Sequence, residues 1–318
     1  MKAKFYRVSN NGHDFIASTF ENTNDFVTMY TQPSCFFSPI LEQGWVVYTQ
    51  KTGSINDIIN NNNPLSSITN SEIDVGSVKK HVWRPGLQVN IEQALNITPE
   101  EFNRSKRELR ILIEKLKDIL LYIEPCNTSM TSYGHKLREL FILTCTAIES
   151  YWLSYLKFAA PNIQRPRTND YVKLKKTLLL DTYKIKFISH PYSLEFKPFG
   201  DWDEERPTQT LSWYDDYNKT KHDSLFNFDK ANLKNCIHAI GALIIMQCVR
   251  FSPEKVLSGQ EITAQLINEH FAISLDSPTI EEFYIPYIEK VEMATGAFFA
   301  PPASQINEWE VEAWTLEP

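Results

Sequence analysis

The chain has few of the residues that hold disulfide-bonded or metal-stapled proteins together. It contains five cysteines, an odd number, and no two of them form a Cys-x-x-Cys pair. The sequence therefore argues against a disulfide framework and against structural zinc. Glycine is scarce, at 10 of 318 residues, whereas 42% of the chain is hydrophobic and 13% is aromatic. This composition is typical of a protein that folds around a substantial core.

Long apolar runs are also missing. The longest, AIGALIIM at residues 239–246, is far shorter than the roughly 20 residues that a membrane-spanning helix needs. The start of the chain, MKAKFYRVSNNG, holds no apolar run of signal-peptide length. We therefore expect a soluble, cytoplasmic protein without a membrane partner.

The motifs of common cofactor and metal sites are absent from the sequence. It has no G-x-x-x-x-G-K-[ST] or G-x-G-x-x-G loop, no H-E-x-x-H and no G-x-S-x-G. We therefore expect neither a cofactor nor a bound metal. The histidines that are too dispersed along the sequence to suggest a metal site are His135, His190, His238 and His270.

Charge is distributed unevenly along a chain whose net charge is −7. Residues 104–190 contain 16 Lys and Arg against 8 Asp and Glu, whereas residues 253–318 contain 2 against 12. The basic stretch can attract phosphates while the acidic one repels them. Alternatively, the two stretches face each other or water. The sequence alone leaves both interpretations open.

Three regions differ in their residue patterns. Residues 1–95 hold short apolar pieces between Asn, Gly, Ser and Pro, and GWVVYTQ is the best strand candidate among them. The Asn-rich stretch at 54–74 predicts an exposed loop. We predict a small mixed or β subdomain over 1–95, a helical bundle over 96–252 and an acidic extension over 253–318. The extension should add a helix and a terminal strand that docks elsewhere.

Four helices are predicted within the bundle. Thr98-Pro99-Glu100-Glu101 offers an N-cap, a first-position Pro and a Glu that completes a capping box, for a helix that runs towards Pro125. Apolar residues at three- and four-residue spacing predict a second helix that ends before Pro161. TLSWYDDYNKTKHDS and DKANLKNCIHAIGALIIMQCVRF predict two more, the last being the most buried. The proline-rich residues 161–207 predict an irregular insertion with one short extended pair.

The segment WYDDYNKTKHDSLF, residues 213–226, carries the side chains best suited to chemistry. On a helix, Tyr214, Asn218 and His222 are four residues apart and lie on one face. Histidine can donate and accept protons near neutral pH. An asparagine one turn away can hold a phosphate oxygen or orient the imidazole. The spacing therefore favours a catalytic or phosphate-binding face.

Structural alternatives exist for each of these side chains. Lys219 and Lys221 attract a polyanion, although a nearby acid such as Asp223 can simply pair with one of them. His222 acts on a substrate, or it caps the end of its helix, where the helix dipole favours a cation. The large aromatic residues of the region either stack on bases or belong to the core: Trp202, Trp213 and Tyr214.

Three stretches together resemble the HEPN superfamily. They are RELFILTCTAIESYW at 138–152, DWDEERPTQTLSWYDDYNKTKH at 201–222 and the apolar helix that follows, so the resemblance covers roughly residues 100–250. It implies a bundle of four or five helices, commonly a dimer, and many members are RNA-cutting toxins or antiviral defence effectors. In the RNA-cutting members, an Arg and a His act without metal and promote attack of a ribose 2′-hydroxyl on the adjacent phosphate.

Asn218 and His222 match the polar and histidine positions of the HEPN motif, and Tyr217 occupies the position of its Arg. A Tyr phenol is neutral at pH 7 and has one donor, whereas an Arg presents a permanently charged fork to a phosphate. Lys219 and Lys221 are the nearest substitutes for that charge.

An acidic residue on an earlier helix also fits the resemblance. Glu149 resembles the acidic position that such proteins carry there, and in a bundle it can approach the motif. Its structural alternative is a partly buried partner for a Lys or Arg. Arg138 lies on roughly the same face of that helix but about 16 Å away along the axis.

The sequence thus predicts a mainly α protein with an HEPN-like bundle that binds RNA, with metal-independent endoribonuclease activity as the enzymatic form of this hypothesis. His222 would be the general acid and base, and Asn218 would orient it. The alternative is a non-catalytic module for dimerisation or partner binding, with a second copy, an antitoxin or another protein as partner. The residues expected to contact or support the substrate are Lys219, Lys221, Tyr217 and Tyr214, with Glu149 and Arg138 behind them.

Overall fold

The computed structural model describes part of the chain completely and part as backbone strands. The completely described ranges are 76–189, 191–223, 225–259, 261–276, 282–285 and 309–316. The strands described as backbone are Ala3–Asn10 (β1), His13–Phe20 (β2), Phe26–Thr31 (β3), Trp45–Lys51 (β4), Ser67–Asn70 (β5) and Gly296–Ala300 (β10). Across these residues the protein is mostly helical with a few strands, which confirms the predicted mainly α class.

The backbone strands form one antiparallel sheet in the order β10-β4-β3-β2-β1-β5. β4 confirms the strand predicted from GWVVYTQ. β5 lies inside the stretch predicted as a loop and pairs with β1 from Tyr6↔Asn70 to Ser9↔Ser67, so the loop prediction is wrong there. β10 comes from the acidic extension and pairs with β4, which joins segments distant in sequence. The apolar piece CFFSPIL lies outside the described residues.

The long helices occur where the apolar spacing predicts them. They are Pro99–Leu120 (α2), His135–Ala159 (α3), Ser212–His222 (α7) and Leu233–Phe251 (α8). Shorter helices complete the described part of the chain: Ile91–Ala94 (α1), Thr168–Tyr171 (α4), Leu174–Thr177 (α5), Pro207–Thr210 (α6), Pro253–Leu257 (α9) and Ile262–His270 (α10).

The start of α2 shows one half of the predicted capping box, because the Glu101 carboxylate binds Arg250 and does not return to the Thr98 backbone. The Thr98 side chain accepts a hydrogen bond from the backbone N–H of Glu101, and Pro99 takes the first helical position. Acidic side chains in the first turn also favour the positive end of the helix dipole. The helix ends at Leu120, earlier than the predicted limit at Pro125.

α8 is the centre of the bundle, as predicted. Of its 19 residues, 17 are buried, and it packs against α2, α3, α7 and α9. A helix that is apolar on every side has to be enclosed by other elements. One side of α8 meets a small sheet, where a Cβ on Gly241 would lie 3.2 Å from Phe196 and 3.3 Å from Ile185. The absence of a side chain at Gly241 therefore permits this close approach.

That small sheet joins the insertion to the acidic extension. Its antiparallel strands have the order β8-β7-β9, in which Tyr183–Ser189 is β7, Tyr192–Phe196 is β8 and Phe271–Leu275 is β9. The β7–β8 pair confirms the extended pair predicted within 161–207. β9 was not predicted, because its partner strand is remote in sequence.

The predicted terminal strand pairs with a short strand that precedes the helices in sequence. Glu310–Glu312 (β11) pairs in parallel with Ser77–Lys79 (β6). Just beyond it, Trp314 is buried, and its indole N–H donates to the Lys80 carbonyl at 2.9 Å. Most of EEFYIPYIEKVEM, the predicted helix of the extension, lies outside the described residues.

The basic and acidic stretches meet on the surface of the bundle. Lys106 pairs with Glu261 at 2.6 Å, and Lys117 pairs with Glu269 at 2.8 Å. These contacts favour the interpretation in which the two charge runs partly neutralise each other, although exposed pairs of this kind contribute little stability. In the described part of the chain, every helix is too short or too polar to cross a membrane.

We predict that burial of His238 makes the fold sensitive to acid. The ring stacks on Phe196 at 4.0 Å, and burial together with Lys234 lowers the pKa of His238 to about 4. In the unfolded chain, His238 binds a proton near the ordinary histidine pKa. The stability of the fold is therefore fully present above about pH 6.5, and part of it is lost as the pH falls towards 4. In urea unfolding, His238 should lower the free energy of unfolding by about 2 kcal/mol as the pH falls from 7 to 5.

His238→Phe keeps a flat ring against Phe196 but cannot be protonated. The free energy of unfolding of this variant should fall by about 2 kcal/mol less than that of the wild type over the same pH interval. Equal pH dependence in the two proteins would show that another group causes the acid sensitivity.

Candidate functional site

α7 presents one face to the core and another to solvent. Its buried residues are Trp213, Tyr214, Tyr217 and Thr220, and it packs against α3 and α8. Its last turn carries Lys219, Lys221 and His222. Cations at this end of a helix are favoured by the helix dipole. The predicted site segment is therefore a firmly packed helix whose polar end is on the surface.

The large aromatic residues of this region belong to the core. Trp152 stacks on Trp202 with ring centroids 5.2 Å apart and meets the edge of Tyr214 at 5.1 Å. The indole N–H groups of Trp202 and Trp213 donate to the carbonyls of Pro207 and Pro198. Since all these rings are buried, base stacking by Trp202, Trp213 and Tyr214 is excluded, and the core alternative is the right one.

Glu149 of α3 is the acceptor around which the polar side of α7 is organised. The hydroxyl of Tyr214 donates to Glu149 Oε1 at 2.7 Å, and that of Tyr217 donates to Oε2 at 3.1 Å. Lys221 Nζ donates to the Tyr217 hydroxyl at 2.9 Å and lies 3.5 Å from Glu149 Oε2. Glu149 therefore approaches the motif, as the resemblance implies.

The protonation states of this cluster support its hydrogen bonds. Burial, followed by the Glu149 charge, raises the pKa of Tyr214, and burial also raises the pKa of Tyr217. The hydrogen bond with Tyr217 raises the pKa of Lys221. Both phenols therefore remain neutral donors, and Lys221 remains charged.

These contacts change the roles expected for the two tyrosines. Tyr214 is 3% exposed and Tyr217 is 0% exposed. Their rings have no open face for a substrate, so the prediction that they contact it directly is corrected. Tyr217 instead links Lys221 to Glu149. The four-residue spacing of Tyr217 and Lys221 was the available signal for this link, but nothing local pointed to Glu149.

His222 and Asn218 lie on the outward part of α7. His222 is exposed and Asn218 is half-buried, one helical turn apart. Among the described residues, neither side chain has a hydrogen-bond or ion-pair partner. His222 therefore makes no described cap, and Asp223 accepts from the Phe226 backbone rather than from a lysine. The imidazole and the carboxamide are both available to a ligand.

The two lysines of the segment differ in their surroundings. Lys219 Nζ donates to Asp215 at 2.6 Å and lies 3.9 Å from Asp216, and the hydrogen bond to Asp215 raises the pKa of Lys219. Asp216 also accepts from Asn235. Lys219 is thus held by two carboxylates of its own helix. Lys221 shares a single carboxylate with two phenols. It is therefore the better candidate to bind an external anion.

Arg138 is not part of the Glu149 cluster. It lies in the first turn of α3, half-buried, and its Nε is enclosed without a described hydrogen-bond partner. The structure thus brings Glu149, Tyr214, Tyr217 and Lys221 together and leaves Arg138 apart from them. Within the described residues, no group of three or more His, Cys, Asp or Glu side chains could hold a metal ion.

The Glu149 cluster should stabilise the packing of α7 on α3. Tyr217→Phe and Tyr214→Phe each remove one phenol donor from the carboxylate, and each should lower the free energy of unfolding by about 1 kcal/mol. In the Glu149→Gln background the same changes should cost less, because the shared acceptor is altered. The matched control is Tyr122→Phe, since Tyr122 is 81% exposed. Fully additive losses in the double variants would contradict the coupling.

Comparison of the chain with protein-family models, with curated proteins and with solved structures gives no match. The identity of the site therefore rests on its own geometry and on the resemblance noted from the sequence. That geometry consists of an exposed imidazole and carboxamide one turn apart, next to a lysine fixed by a carboxylate and a phenol.

Proposed function

We propose that the chain is an HEPN-like helical protein that binds RNA at the polar end of α7 and cleaves it without a metal. One observation carries the proposal: His222 and Asn218 lie one turn apart on the surface, without described partners, in the same turn as the charged Lys221. An exposed imidazole and a nearby carboxamide can both hydrogen-bond to a phosphate, and the neighbouring lysine attracts its charge.

Lys221 can substitute in part for the missing motif arginine. An ammonium group has three donors. One of them is used by the Tyr217 hydroxyl, and a second lies towards Glu149. The third is left for a phosphate oxygen. A lysine acts as a point charge, so its fixed position compensates for the lack of the planar arginine fork.

The proposed reaction is an internal transesterification of an RNA phosphodiester. His222 accepts the proton of a ribose 2′-hydroxyl, and the 2′-oxygen forms a bond to the adjacent phosphorus. The bond from phosphorus to the 5′-oxygen breaks, and the leaving oxygen takes a proton from a water molecule, which His222 restores with the proton that it accepted. The products are a 2′,3′-cyclic phosphate and a 5′-hydroxyl end. Asn218 orients the imidazole or a phosphate oxygen, and Lys221 offsets the charge that develops on the phosphate.

A second candidate is a non-catalytic module that binds a protein. The observation that favours it is the number of carboxylates near the lysines: Asp215 and Asp216 beside Lys219, and Glu149 beside Lys221. With a tyrosine at the arginine position, the same surface would dock a second copy or an antitoxin-like protein. Such a protein would associate without cutting RNA.

His222→Ala tests the enzymatic proposal directly, because the exposed side chain can be removed without disturbing the core. On end-labelled RNAs of mixed sequence, the wild type should produce 2′,3′-cyclic phosphate ends, and His222→Ala should cut at least about 100-fold more slowly. RNA affinity should change little. Intact RNA with the wild type, or equal cleavage by both proteins, would remove the enzymatic part of the proposal.

Lys221→Gln and Lys219→Gln form a matched pair for the binding proposal. Each removes one surface charge, but only Lys221 belongs to the Glu149 cluster. Lys221→Gln should weaken RNA binding and reduce the slope of log affinity against log salt by about one unit, whereas Lys219→Gln should have a smaller effect. If neither variant alters RNA binding but the protein self-associates in sedimentation experiments, the interaction module is the correct function.

A further inference from the structure

A cluster of aromatic side chains lies on the surface where α3 and α8 begin. The rings of Tyr133 and Phe228 meet edge to face with centroids 5.8 Å apart, and His135 lies 4.9 Å from Phe228. Tyr133 is 57% exposed, and Phe226, two residues before Phe228, is 79% exposed. We call Tyr133, His135, Phe226 and Phe228 the aromatic platform. Its open rings contrast with the enclosed rings below α7.

The backbone around the aromatic platform is tied to both helices. Tyr133 and Asn232 form an antiparallel bridge, and the Leu233 N–H donates to the Ser132 carbonyl at 2.9 Å. The platform thereby connects the starts of α3 and α8. The Tyr133, His135 and Phe228 rings already contact one another, so they need little ordering when they bind a ligand.

The turn after α7 places the platform next to the candidate site along the chain. Thr220 Oγ1 in the last turn of α7 donates to the Asn227 carbonyl, and the Asn227 N–H donates to the Asp223 carbonyl, each at 3.2 Å. Phe228 follows immediately. Two hydrogen bonds therefore hold Asn227, the residue before Phe228, against the end of α7.

Lysines adjoin the platform along the chain. In the part of the chain that the structure describes, its lysines form no ion pair with a carboxylate. Lys136 follows His135, and Lys230 lies two residues after Phe228. The unpaired acids of the same segments are Asp223 and Asp229. Rings exposed beside unneutralised cations match the two halves of a nucleotide, a flat base and a charged phosphate.

We propose that the aromatic platform stacks unpaired bases of the RNA that binds at His222, so that the substrate is single-stranded. This inference rests on the proposed function of α7. In a duplex the base faces are covered by neighbouring pairs, and ring stacking requires bases that are splayed out.

Fluorescence anisotropy with a labelled single-stranded RNA tests the inference, in a His222→Ala background that prevents cleavage. Phe226→Ala and Tyr133→Ala should each weaken binding about 10-fold, within the range for one stacked base. Their salt dependence should match that of the parent, because no charge is lost. The matched control is Leu225→Ala. Leu225 is 82% exposed beside Phe226, has no π face, and should bind RNA as the parent does.

The same measurements separate the inference from the proposed function. If RNA is bound and cut but both aromatic variants bind like the parent, the platform is not a stacking surface and only the inference fails. Equal affinity for the RNA and its duplex would also overturn it. If Leu225→Ala and Phe226→Ala weaken self-association equally and leave RNA binding unchanged, the surface is a protein interface. If the wild type binds no RNA, the proposed function fails and the inference fails with it.

Discussion

The burial of α8 is the constraint on which the helical region depends. Seventeen of its 19 residues are buried, so nearly the whole circumference of the helix has to be covered by other elements. α2, α3 and α7 cover part of it, and α9 and the β7 strand complete the enclosure. Each covering helix has one apolar stripe, and that stripe determines which of its faces points inward. The position of α7, and therefore of its polar end, follows from this arrangement.

The one charged side chain enclosed near the end of α8 is neutralised by its neighbours. Arg250 makes two hydrogen bonds to the Glu101 carboxylate, at 2.8 and 2.6 Å, and its other donors reach the carbonyls of Leu95 and Asn96. A buried charge without such partners would be strongly destabilising. The arginine therefore fixes the junction between α1 and α2 against the central helix. Burial and the nearby Arg250 also lower the pKa of His81 to about 4.

Sequence reasoning recovered the parts of the structure that depend on local chemistry. Thr98 and Pro99 mark the start of α2, and the apolar spacing identifies α3 and α8, because capping and helical periodicity involve residues only a few positions apart. It also placed His222 and Asn218 on one helix face. The strands β5, β9 and β10 were not predicted, since each is defined by a distant partner. The role of Tyr217 was missed for the same reason: its acceptor, Glu149, is 68 residues away.

The pairing of the two late strands has a consequence for synthesis. β10 completes the sheet beside β4, and β11 covers β6, yet both partners leave the ribosome long before residues 296–312 are made. Until then, β4 presents a row of unsatisfied backbone donors and acceptors, and such edges recruit strands from other chains. The nascent protein thus passes most of its elongation with the β4 edge unpaired, and we expect chaperones to shield that edge until β10 is made.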